Sequence, residues 1–484
     1  MVAPPSLARE ARIGLFRLKI RGRLRAMRNL CLAALTTLVA CSSSDPLPPP
    51  DVRLLVGQDE TWSADPPPTR VQIELVEPER RVVIGEATAP ASVITIRNPG
   101  FNAGTIASFE ATGFDGAGTA LVRGASVPYV IYNLLSATIP IFVARSSTWS
   151  RPAENLEHAR NFPVVTVLWH QFIIAAAGES KDPAVPDFYD AINWKGLPMQ
   201  PPFARVPKTM VVVGTTVLCI DETAATSIEL RWSDRVANEP APAGLSFAEV
   251  AGGQVFELAD GTAFVVGATR STGEPTAKVL RIDKVTSQTT GETTGVLRAV
   301  TLATPRRGAA AGVVAGNLVV WGGSAEGAAA EVLNTARDAF SSLPFPPDAT
   351  AGLGLAKLDA TIALLAGGKD PVTGTAAPLR TFDVTCAADC AATELAMSPT
   401  ALQRTSVFPL AAGHVLVTGD SDDGEFHAFS VLTTGAPAEI VERPLRERRK
   451  GATAFVLPNG QPGVLGGENP ETAAPVLSIE SFFF

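Results

Sequence analysis

Histidine and tyrosine are scarce in this sequence, with four and three residues among 484. His158, His170, His414 and His427 each lie in or beside an apolar run, at spacings that make no zinc motif, so they read as ordinary core or surface side chains. There is no G-x-S-x-G nucleophile elbow. No catalytic residue, metal ligand or cofactor is therefore assigned from the sequence. Lysine and arginine are outnumbered, 40 against 48 acidic residues. The imbalance is larger than the formal −8 suggests, because residues 1–40 hold eight basic residues and one acid, which leaves −15 on the remainder. An acidic mature protein is a poor binder of phosphate backbones, which sets nucleic acid aside.

The N-terminus reads as an address. Leu30 to Ala40 is an apolar run of eleven residues behind Arg21, Arg23, Arg25 and Arg28, too short to span a bilayer and typical of a signal peptide over residues 1–40. Leu38-Val39-Ala40-Cys41 resembles a bacterial lipobox, which implies Cys41 as the acylated first residue of the mature chain, with Met27 as an alternative start. The resemblance implies an exported protein tethered to a membrane by lipid, and Ser42 favours the outer membrane in a Gram-negative cell. Residues 41–69 are polar and proline-rich and are expected to be an extended spacer.

Glycine (41) and proline (39) are abundant, aromatics are only 6%, and apolar residues fall in short runs between turn formers. That is the profile of an all-β protein of many short strands, and the length suits two domains. Residues 70–143 alternate as VQIELV, RRVVIG, SVITI, ALVRG, PYVIYNLL and IPIFVA, with turn signals at Asn98-Pro99-Gly100 and in Gly113 to Gly118, and are expected to form a small Ig-like sandwich.

From residue 144 onward a unit recurs. Its clearest copy is Thr304 to Gly323, TPRRGAAAGVVAGNLVVWGG: an arginine, a strand, a Gly-Asn turn and a second strand closing on two glycines. Strand ends at Gly178, Gly267, Gly322, Gly367, Gly419 and Gly466 give gaps of 89, 55, 45, 52 and 47, and Val217 to Asp221 sits midway in the first gap as a glycine-free copy. Arg160, Arg205, Arg306, Arg404 and Arg448 each precede a first strand, and Trp194, Phe340, Trp149 and Trp232 stand at related aromatic positions. The unit resembles the kelch repeat, which implies a β-propeller over residues 144–484, here of seven blades, or six if the Val211 to Ile220 copy folds otherwise. The last copy runs out of chain, so Ile141 to Trp149 is expected to supply its outer strand.

The candidate chemistry is sparse. Cys386 and Cys390 form a disulfide if Ala387 to Asp389 turns, and otherwise remain thiols; Cys219 reads as a buried thiol. Asp420, Asp422, Asp423 and Glu425 crowd around Gly424 as a hairpin tip or, less in keeping with the spacing, a calcium loop. Arg160, Arg205, Arg306, Arg404 and Arg448 either pair within the blades or gather at the channel to hold a carboxylate-bearing ligand. Copper-radical enzymes that share the kelch fold need a tyrosine and histidine ligand set, and only Tyr129, Tyr132 and Tyr189 are present. The leading expectation is a lipid-anchored, non-catalytic binding or scaffold protein with a protein or glycan ligand. The alternative is a carbohydrate-active enzyme, an epimerase or mutarotase, acting on an acidic sugar at the channel.

Overall fold

Second-position strands of the repeat are continuously apolar, and a strand of that kind must be covered on both faces. In the computed structural model they are. The structure describes residues 50–97, 104–131, 137–198, 202–229, 236–287, 293–334, 338–435 and 437–484. The signal segment, Cys41, the Asn98-Pro99-Gly100 turn, Tyr132 and Trp232 lie outside them.

Seven four-stranded antiparallel sheets follow one another. Blade I is Val164–Leu168, Phe172–Ala176, Asp187–Asp190 and Lys195–Gly196. Blade II is Thr209–Val213, Thr216–Ile220, Ala225–Glu229 and Val236–Glu239. Blade III is Gln254–Glu257, Ala263–Val266, Thr276–Thr286 and Thr293–Arg306. Blade IV is Ala310–Val314, Asn317–Trp321, Ala330–Asn334 and Ala339–Leu343. Blade V is Ala351–Lys357, Ile362–Lys369, Pro378–Asp383 and Thr393–Met397. Blade VI is Gln403–Pro409, His414–Asp420, Phe426–Leu432 and Glu439–Glu442. Blade VII takes Thr453–Val456, Pro462–Leu465 and Ile479–Phe483 from the C-terminus and Thr148–Ser150 from the other end of the propeller. The glycine-free copy is thus a complete blade, and the chain is a seven-bladed β-propeller.

Side chains alternate across a strand, so each second strand feeds two interfaces. Leu318 and Val320 pack toward blade III, whereas Val319 and Trp321 pack toward blade V. Each of the seven blade interfaces has its own buried cluster. Outside blade VII the fourth strands are largely exposed, as the Ala339–Leu343 and Glu439–Glu442 strands show. Closure falls to Ser150, Trp149 and Thr148, which pair with Ser481, Phe482 and Phe483. Trp149 is buried against Phe482, its indole nitrogen donating to the Arg443 carbonyl at 2.9 Å. The sequence expectation placed this strand within Ile141 to Trp149. Thr138–Arg145 instead belongs to the preceding module, and the closing strand starts three residues after it.

That module differs from the expected Ig-like sandwich of two separate sheets. Seven of the eight strands of one sheet pair in a continuous path, with Tyr129–Ile131 added beside Thr105–Phe114, and the two edges of the path meet through a bond from the Arg97 amide to the Ile84 carbonyl, so the sheet curls around one core. The alternating Val71, Ile73 and Leu75 fill that core from Arg70–Val76. The spacer expected over 41–69 also ends early. Asp51–Leu55 is a strand paired in parallel with Thr138–Arg145, and it buries Val52 and Leu54 because those two residues face the core of the curled sheet. Phe142 leaves this module to pack on Trp194 and Phe483, tying it to the closing seam.

Trp149→Ala removes the largest side chain at that seam and is expected to cost about 3–5 kcal/mol in chemical denaturation. A loss under about 1 kcal/mol would show that the seam contributes little.

Candidate functional site

The arginine that opens each clear copy is drawn inside the protein. Arg306 is fully buried; its Nη2 pairs with Glu331 at 2.8 Å, and its Nη1 donates to the Gly322 carbonyl at 2.8 Å and the Ala329 carbonyl at 3.0 Å. Glu331, on the third strand, in turn accepts the amides of Ala303 and Thr304. Arg160 repeats this with Asp187 at 2.8 Å, the Ala177 carbonyl, and the amides of Glu157 and His158. Arg449 repeats it with Glu480 at 2.6 Å, the Gly466 carbonyl, and the amides of Arg446 and Glu447. In each case the acid holds the amides three and two residues before the arginine, so one ion pair fixes the entry of the chain, the end of the second strand and the third strand together.

The carbonyl each arginine reaches belongs to a residue in the left-handed conformation: Ala177, Gly322 or Gly466, with φ of 58°, 75° and 74°. A Cβ on the following glycine would meet Asn161, Arg307 or Lys450 carbonyl oxygens at 2.3–2.7 Å, which is why glycine holds that place. Gly178 therefore corresponds to the second glycine of the pair, not the first.

Blade V inverts the arrangement. The acid, Asp348, stands before the first strand and the arginine, Arg380, on the third, 2.9 Å apart. Asp348 also accepts the Trp321 indole N–H at 2.8 Å and the Thr350 amide at 2.9 Å. Burial works against its charge, but Arg380 and these bonds outweigh burial and hold its carboxyl below the usual range.

The five arginines singled out from sequence are not gathered into one ring. Arg160 and Arg306 are enclosed. Arg205 is exposed and bonded to Asp221 and Thr223. Arg448 is exposed and bonded to Glu425 and Glu471; the interior position of its blade belongs to the next residue, Arg449. The R-x-G pattern shared by Arg306-Arg307-Gly308 and Arg449-Lys450-Gly451 marks that register in the sequence. Arg404 lies in neither class, two residues beyond the interior position.

It belongs instead to a second series, at the mouth where the innermost strands begin. Gly308, Gly352, Arg404, Gly451 and Phe162 occupy matching places and all have positive φ, from 49° to 80°. The Gly352 amide bonds to the Gly308 carbonyl and the Phe162 amide to the Gly451 carbonyl, blade to blade. Left-handed backbone at a non-glycine residue costs about 1–3 kcal/mol. Beside Phe162 lies a concave pocket of ≈ 270 Å³ between blades I and VII, lined by Arg160, Asn161, Glu179, Ser180, Lys181 and Glu468 among others.

The remaining candidates separate. Cys386 and Cys390 are bridged, with Cα atoms 5.9 Å apart and Asp389 turning the chain at φ 52°. Cys219 is buried, which pushes its thiol up to about 12. The carboxylates of the acidic loop diverge: Asp420 to Arg404, Asp422 to Lys369, Asp423 to Ser421 and Glu425 to Arg448. Glu157, His158 and Asp187 stand close enough to share an ion, but both Asp187 oxygens are already taken by Arg160 and by N–H groups.

No family model matches the chain, and no curated protein matches it. Among solved structures it is similar to one titled "Structure of YjhT", at 11% identity and a TM-score of 0.38, covering 67% of this chain and 95% of that one.

Arg306→Ala leaves Glu331 charged and buried, and is expected to cost about 3–5 kcal/mol in denaturant melts. Asp348 follows the other linkage: its folded carboxyl lies below its unfolded value, so its stabilisation is complete above the ordinary aspartate range and is lost as pH falls through the folded value. Asp348→Asn is expected to flatten that acid limb of the stability–pH curve. An unchanged limb would contradict the pairing.

Proposed function

We propose that the protein is a lipid-anchored binding platform of a bacterial cell envelope, exported by the segment that ends at Cys41 and presenting the mouth of its propeller to a ligand. The observation that carries the reading is the combination at one end of the ring of a polar pocket with two residues in left-handed backbone, the exposed Phe162 and the half-buried Arg404. Features of this kind concentrate where a scaffold meets a ligand. The enclosed arginines serve the scaffold, so recognition falls to the rim residues Asn161, Lys181, Glu179 and Glu468 and to the Phe162 and Arg404 side chains. The kelch-like spacing of the copies, the Pro-rich tether after Cys41 and its acyl group complete the reading as a platform held near a membrane.

Two measurements test it. In a bacterial host, an alkyne fatty acid is expected to label the wild-type chain and not Cys41→Ala, which moves to the soluble fraction; label on the variant would contradict the anchor. A photo-cross-linker at Lys181 is expected to give discrete adducts in the envelope, while one at Val285, in the hairpin at the opposite end of blade III, gives none. Equal patterns would remove the mouth from the account.

A further inference from the structure

Two of the five left-handed positions around the mouth hold side chains where the others hold glycine, and those two side chains meet. The Arg404 guanidinium carbon lies 4.0 Å from the centroid of the Phe162 ring, and that ring rests against Gly451 of the blade between them. The fold does not require either residue. Gly308, Gly352 and Gly451 meet the same backbone demand without the steric cost. Strain that the scaffold can avoid, and does avoid at three equivalent places, points to a use for the side chains.

Arg404 is aimed by a third group. Its Nε donates to Asp420 Oδ2 at 2.7 Å and its Nη2 pairs with the same oxygen, so the guanidinium is held over the ring. Asp420 is 7% exposed, yet its Oδ1 has no hydrogen-bond partner among the described residues. A buried acceptor in that state is costly, and a ligand hydroxyl that reaches it by displacing its cover would satisfy it. Phe162 is 41% exposed and keeps ring surface open to solvent.

We propose that Phe162, Arg404 and Asp420 form a binding site for a neutral, hydroxyl-rich ligand, in chemical class a glycan. This names the ligand of the mouth face and rests on the platform reading. A hydroxyl both donates and accepts, which suits a site offering a guanidinium donor and a carboxylate acceptor side by side. The C–H face of a sugar ring is apolar and packs on an aromatic face. Charge selects against an acidic ligand, because Arg404 is matched by Asp420, Lys369 by Asp422 and Arg448 by Glu425. These cations already have carboxylate partners, and a second carboxylate would face theirs.

The test applies the full chain, in detergent, to an array carrying neutral and uronate- or sialic-acid-bearing oligosaccharides, with wild type, Phe162→Gly and Asp420→Asn. Phe162→Gly installs the residue that blades IV, V and VII carry. Its thermal midpoint is expected to hold or rise while binding to neutral glycans weakens by about tenfold or more. Asp420→Asn is expected to weaken the same binding with the aromatic face intact. Binding that survives both substitutions, or binding confined to acidic glycans, overturns the site. A lowered midpoint for Phe162→Gly overturns it too, by making the ring a structural necessity. A wild-type array without signal overturns the glycan class, while adducts at Lys181 judge the platform reading independently.

Discussion

A four-stranded sheet with apolar faces on both sides has no stable existence alone, and the requirement that each face be covered by a neighbour governs this molecule. Seven interfaces satisfy it for seven blades, so every blade gives one face to the blade before it and one to the blade after. The final interface can form only after both ends of the propeller chain arrive. Trp149 and Phe482 meet there, and the curled N-terminal sheet leans on the same seam through Phe142. Local contacts shape each blade, but closure makes the ring.

Within that ring the charged groups divide by depth. Arg160, Arg306 and Arg449 lie inside and hold chain entry, second strand and third strand in register. Buried ion pairs contribute little net stability when compared with apolar packing, yet losing one partner is severe. Their contribution is geometric: the same three segments are held together by the same contacts in blades I, IV and VII. Blade V reaches an equivalent result with acid and base exchanged. At the mouth, where the glycine series permits close approach, blades VI and I depart from glycine, and their side chains meet across the blade between them.

Much of the architecture was legible because it rests on repetition. Gly-Gly pairs, short apolar runs and spacing of about one blade gave the number of units, and even the glycine-free copy at Val217 to Asp221 was placed by its neighbours. Register was harder. In the run Arg446 to Lys450, four of the five residues are basic, so composition does not separate the exposed Arg448 from Arg449, which the fold buries. The mouth series does not show in the glycines that end the second strands. The informative column is the one at the start of the first strands, where Gly308, Gly352 and Gly451 align and Phe162 and Arg404 break the pattern. Asp51–Leu55 reads as spacer because five residues beside a proline run carry too little periodicity to show a strand whose partner lies far along the chain.

The central claim is that the chain closes its own ring, and a cross-link across the closing seam tests it most directly. Ser150 and Ser481 face each other in antiparallel register, both buried, at a separation that a disulfide can span. With Ser150→Cys and Ser481→Cys combined, oxidation of the native protein is expected to yield a peptide linking positions 150 and 481 in non-reducing mass spectrometry, and a higher thermal midpoint. Two free, alkylatable thiols in the folded protein would contradict ring closure by this strand.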